Sequence, residues 1–173
     1  MRTKRAFSML LATVLLLFAA TGMAQIVSFG SFSAKDLRSE DVITEEYFQE
    51  ADVTLVNFWT TWCGPCIAEL PDLAKLAELS EGQVQVLGVL LDGLDMKGEE
   101  DKKTVEAMHV LLDNAEAEYP TVLPDSWLMQ IGSLANVVPT TFLIDSEGNI
   151  IEVVTGARSA EQWLKLIAGI TGE

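Results

Sequence analysis

The chain has 173 residues, 11 Lys and Arg against 26 Asp and Glu for a formal net charge of −15, two cysteines, one histidine and four tryptophans. That length suits a single domain, and a composition 49% hydrophobic and 21% charged excludes disorder across the whole chain. Two cysteines exclude a disulfide-dense scaffold, and the acidic balance, with no cluster of Lys or Arg to reverse it locally, excludes nucleic acid as a partner.

Met1 to Arg5 is basic, Ala6 to Ala20 is an almost unbroken apolar run, and Gly22 and Ala24 stand at −3 and −1 of a cut before Gln25. The pattern predicts a secretory signal peptide over residues 1–24. An uncleaved anchor is the alternative, since Ala6 to Ala24 is 19 residues, within the roughly 17–25 that span a bilayer. No cysteine stands near the cut, so this is not a lipoprotein signal. In either case the positive-inside rule places everything after Gln25 outside the cytoplasm, in the periplasm or at the cell surface, where disulfides persist. Downstream, 8 basic residues face 26 acidic ones, a charge near −18. No repeat or Pro/Gly-rich linker follows, so residues 25–173 are expected to form one domain.

Thr54 to Trp59 and Val84 to Leu91 are apolar, β-branched runs too continuous for one-sided strands, and read as buried parallel strands. Between them Cys63 to Leu79 is helical in pattern, with Ile67, Leu70, Ala74 and Ala77 on one side and a kink expected at Pro71. Strand, helix and strand in this order make a right-handed βαβ unit. Met96 to Lys103 reads as a loop entering a second helix, about Glu100 to Glu118, with Val105, Met108, Leu112 and Ala115 as its stripe. A short strand at Tyr119 to Leu123 and a helix from Ser126 to Leu134, capped by Asp125 or Ser126, come next. Thr140 to Ile144 and Ile150 to Thr155 flank the turn Ser146-Glu-Gly-Asn149 as a hairpin, and Ser159 caps a last amphipathic helix running to about Ile170. The sum is an α/β fold with a mixed central sheet flanked by helices on both faces.

Cys63-Gly64-Pro65-Cys66 sits just past a buried strand and opens a helix. Unpaired backbone N–H groups and the macrodipole stabilise a thiolate there, which makes Cys63 the thiol of lowered pKa. Pro65 is tolerated because the first turn has no N–H partner to lose. The pair reads as a redox dithiol. A structural staple gains little from so short a loop, about 2 kcal/mol, and a zinc site lacks ligands, since His109 lies at the edge of an apolar stripe. No metal or other cofactor is expected.

Phe58-Trp-Thr-Thr-Trp-Cys-Gly-Pro-Cys66 with Glu69-Leu-Pro71, and Val138-Pro-Thr-Thr-Phe-Leu-Ile-Asp145 with Gly148, resemble the TlpA/ResA-like extracytoplasmic oxidoreductases, over about Phe29 to Ile170. The resemblance implies a thioredoxin-like fold with a helical insertion after the βαβ unit. It also implies Cys63 as attacking thiol, Cys66 as resolving thiol, and Glu69 as an acid that tunes the thiols. Pro139 matches the cis-proline facing the dithiol, and the backbone of Val138 matches one that pairs with a substrate peptide. Glu69 lies about 60° from Cys66 on a helical wheel, which permits the tuning role; a solvated helix-face position is the alternative. Trp62 is the tryptophan expected at the substrate surface, ahead of Trp59 and Trp127. Asn57 departs from the aspartate that thioredoxins bury beneath the dithiol. An amide cannot take a proton from Cys66, so Asn57 reads as a hydrogen-bonded core group, and Glu69 or water would serve instead.

The function expected is reduction of disulfides in an extracytoplasmic protein substrate, with electrons from a membrane thiol donor, because Gly-Pro is the dipeptide of the reducing end of such enzymes. A thiol peroxidase is the runner-up: Thr60 stands three residues before Cys63 as in peroxiredoxins, but Val56 replaces their proline. A copper carrier using both thiols and His109 is the non-enzymatic alternative.

Overall fold

The computed structural model describes residues 27–172, so the expected signal peptide or anchor lies outside the described residues. A mixed five-stranded sheet forms the centre. β3 (Val53–Trp59), β4 (Val84–Leu90) and β5 (Thr121–Val122) run parallel, and β6 (Thr140–Asp145) and β7 (Ile150–Thr155) extend the other side antiparallel, in the order β5-β4-β3-β6-β7. Helices α1 (Gly64–Leu79), α2 (Lys102–Asn114), α3 (Ser126–Leu134) and α4 (Ala160–Thr171) cover it. The helical insertion α2 lies between β4 and β5, as the resemblance implied.

All seven residues of β3 are buried, and their period-two alternation divides the core. Leu55 and Trp59 join a cluster with Leu70, Leu73 and Leu76 of α1, Met108 of α2 and Trp163 of α4. Val56 and Phe58 join the opposite cluster, with Phe29, Phe48, Leu128 of α3 and Phe142. Asn57, between them in sequence, shares the odd-numbered face with Leu55 and Trp59, so the alternation aims an amide at the α1 side. Gly88 pairs with both Asn57 and Thr121 in the ladder, and a Cβ there would stand 2.6 Å from Thr121 Oγ1. Only glycine fits so close to its neighbour strand.

The N-terminal part was absent from the expected elements. A hairpin of β1 (Ser33–Lys35) and β2 (Val42–Thr44) leads into a 3₁₀ helix at Glu45–Glu50. Three-residue strands carry too few positions for a period to show. What holds this part is an edge-to-face aromatic group, Phe29 against Phe32, Phe48 and Phe142, at centroid separations of 5.5–6.2 Å.

Elsewhere the differences are of extent. α2 begins at Lys102 because Asp101 accepts from the N–H groups of Lys103 and Thr104, and it ends before Glu116, whose φ is +52. β5 has only two residues, bounded by prolines on either side. α1 runs continuously through Pro71. Its buried face is Cys66, Glu69, Leu70, Leu73 and Leu76, while Ile67, Ala74 and Ala77 lie half-buried on the flank. The expected stripe was therefore displaced: small alanines pack at a margin, and the leucines take the centre.

Candidate active site

β3 ends at Trp59, the chain turns with Cys63 N–H donating to Thr60 O (3.3 Å), and α1 starts at Gly64. Cys63 is the N-cap: its backbone is extended (φ −84, ψ 103) and its Sγ accepts from Cys66 N–H at 3.2 Å. Gly64 and Pro65 occupy the first two helical positions, where no intrahelical N–H bond is lost. Cys63 and Cys66 form a disulfide with Cα atoms 5.2 Å apart. Both are buried, yet Cys63 lines a surface groove of about 700 Å³ and Cys66 does not.

The loop before β6 forms the opposite wall. The Val138–Pro139 bond is cis, and the Val138 carbonyl oxygen lies 3.5 Å from Cys63 Sγ. Pro139 O accepts from Gly156 N–H (2.8 Å) and Val137 O from Thr140 Oγ1 (2.8 Å), which ties this wall to the β6–β7 side of the sheet. Trp62 is 73% exposed at the groove rim. Trp59 is fully buried, and Trp127 donates its indole N–H to Phe29 O under the N-terminal segment, so neither joins that rim. His109 is half-buried on α2, and among the described residues no three His, Cys, Asp or Glu side chains gather as a metal site.

Glu69 is 2% exposed, which removes the solvated alternative. Its Oε1 accepts from Arg158 N–H (2.9 Å) and from the Trp163 indole (3.1 Å), and its Oε2 from Asn57 Nδ2 (3.5 Å). Asn57 also donates to Thr141 Oγ1 at 2.9 Å, directly across the β3–β6 ladder. Burial pushes the Glu69 carboxyl above the ordinary carboxylate range, and the hydrogen bonds from Arg158, Trp163 and Asn57, with the Arg158 charge, hold that rise back. The Tyr119 hydroxyl, buried with no hydrogen-bond partner among the described residues, is raised by burial and then by the Glu69 charge. Chemically, the arrangement offers a dithiol or disulfide at a groove and a buried acid on the same helix face.

Sequence reasoning missed Asp92, Arg158 and Trp163 as site neighbours. Asp92, just past β4, lines the groove and accepts from Thr61 Oγ1 (2.6 Å) and Thr61 N–H (3.1 Å). Thr61 follows β3 and Asp92 follows β4, adjacent parallel strands, and that pairing is the one signal that could have joined them. Trp163 read only as an apolar position of α4, since periodicity cannot show where an indole N–H points.

A family model described as AhpC/TSA family matches residues 28–153. The thiol:disulfide interchange protein DsbE of Haemophilus influenzae is 33% identical over 138 residues, 78% of this chain and 68% of that protein. The chain belongs to the AhpC/TSA family and is a ResA-like thiol-disulfide oxidoreductase. The thiol-disulfide oxidoreductase ResA of Oceanobacillus iheyensis is 30% identical over 116 residues, 65% of this chain, and the match spans only 54% of that relative's length. A thioredoxin family thiol:disulfide interchange protein from Chlorobium tepidum superposes with a TM-score of 0.67 at 20% identity, over 85% of this chain and 97% of that one. The fold of this oxidoreductase is thus thioredoxin-like. Among the described residues no helix is long and apolar enough to cross a membrane.

Proposed function

We propose that this oxidoreductase works outside the cytoplasm as a reductase of protein disulfides. The observation that carries the reading is that Cys63, at the N-cap of α1, opens on the groove while Cys66 lies behind it. In the reduced enzyme the Cys63 thiolate attacks one sulfur of a substrate disulfide. A mixed disulfide forms and the other substrate sulfur leaves as thiolate. Cys66 then loses its proton and attacks Cys63 Sγ, which releases the second substrate thiolate and leaves the Cys63–Cys66 disulfide. Two electrons have passed to the substrate, and a thiol donor at the membrane restores the dithiol by the reverse exchange.

Cys66 N–H, 3.2 Å from Cys63 Sγ, would stabilise the attacking thiolate. Glu69 tunes the resolving thiol from the same buried helix face, where a carboxyl raised above its ordinary range by burial can accept a proton from Cys66 and return it. Trp62, the Val138 backbone and Pro139 bind the substrate segment beside Cys63. The basic and apolar N-terminus supports export or anchoring.

Equilibration with glutathione buffers, read by thiol alkylation, tests the direction. A potential near the reducing value of about −270 mV is expected, and one near about −120 mV would make the protein an oxidant and overturn the reading.

A further inference from the structure

Asp92 is the one charged residue lining the dithiol groove among the described residues; its other walls include Trp62, Pro65, Leu91 and Val137. It is half-buried, and neither ion pair found among the described residues, Lys35–Glu40 or Arg38–Asp113, includes it. Its hydrogen-bond donors are the Thr61 N–H and hydroxyl, both neutral. An asparagine oxygen could accept those bonds, so capping Thr61 does not by itself require a charge. A carboxylate beside a thiol that must ionise opposes the chemistry, unless something cationic arrives with the substrate. The groove has room for it, because 700 Å³ is about 9 Å on a side, the length of about three residues of extended chain.

We propose that Asp92 determines substrate choice: the groove takes an extended polypeptide whose disulfide cysteine meets Cys63, with an apolar side chain against Trp62 and Val137 and a lysine or arginine within about two residues paired to the Asp92 carboxylate. This rests on the disulfide-exchange reading above. The bound cation offsets the carboxylate's field at Cys63, so the preference enters at the step where the thiolate attacks.

The test uses disulfide-linked pairs of short peptides, one fluorescent and one carrying a quencher, with Lys, Ala or Glu two residues from the cysteine, and dithiothreitol as reductant. Wild-type kcat/KM is expected to rank Lys over Ala over Glu, about fivefold between Lys and Ala, with the ranking compressed at about 0.5 M NaCl. In Asp92→Asn the three values should converge. In Thr61→Val, which removes the hydroxyl bond but keeps the charge, the ranking should persist. Equal turnover of the three peptides by wild type, an unchanged ranking in Asp92→Asn, or its loss in Thr61→Val would each overturn the proposal. Failure of wild type to reduce any of the three would instead refute the disulfide-exchange reading itself.

Discussion

Glu69 of α1 and Trp163 of α4, both buried to 2% exposure or less, are joined by an indole N–H···carboxylate hydrogen bond of 3.1 Å. The bond links the helix that carries the dithiol to the last helix of the chain, and it places a carboxylate three residues past Cys66 where water does not reach. A buried, hydrogen-bonded acid makes stability depend on pH.

Because burial holds the Glu69 pKa above its ordinary value near 4.5, the folded state binds more protons than the unfolded chain between those two values. Its favourable contribution is complete below the unfolded value and is lost as pH rises through the folded one. Urea unfolding of the oxidised protein across that window should therefore show stability falling as pH rises. In Glu69→Gln this component of the slope should vanish. An identical slope in both proteins would show that Glu69 is not the group responsible.

Asn57→Ala removes the amide that donates to Thr141 Oγ1 and to Glu69 Oε2, and leaves two buried acceptors short of a partner. The expected cost is about 1–3 kcal/mol in equilibrium unfolding. A change below about 0.5 kcal/mol would mean that these groups find other partners.

Trp62→Ala separates binding from folding. The side chain is 73% exposed, so stability should stay within about 0.5 kcal/mol of wild type. Turnover of a folded protein disulfide should fall several-fold more than turnover of a small dithiol reagent, since only the larger substrate reaches the groove rim. Equal losses on both would remove Trp62 from substrate binding.

Leu73 lies at the centre of the α1 face, fully buried two turns after Cys66. Leu73→Ala should cost about 2–5 kcal/mol in urea unfolding, with thiol alkylation kinetics at Cys63 in the folded protein unchanged. Altered alkylation would show that the α1 core position and the N-cap geometry are coupled.

The cysteine pair at the head of α1 was legible in the sequence because its signals are local. A dithiol spaced by Gly-Pro at a strand-to-helix junction depends on chain order and cap chemistry, and those survive in one dimension. The same holds for β3, β4 and the β6–β7 hairpin, whose apolar runs and turn residues mark them. The N-terminal hairpin was illegible because what holds it is Phe29, packed against Phe32 and Phe48 and reaching Phe142 more than a hundred residues away.

By itself the sequence determined the pair Cys63 and Cys66, the order of the elements around them, and the acidic surface that follows from 26 carboxylates against 11 bases. Only the tertiary structure decided that Glu69 is buried and Asp92 faces the dithiol groove. A helical wheel fixes the direction of Glu69 but not what covers it, and the cover comes from Trp163 and Arg158, nearly 90 residues or more away. Asp92 reaches the groove because β4 lies beside β3, a pairing created by long-range hydrogen bonds rather than by any local preference.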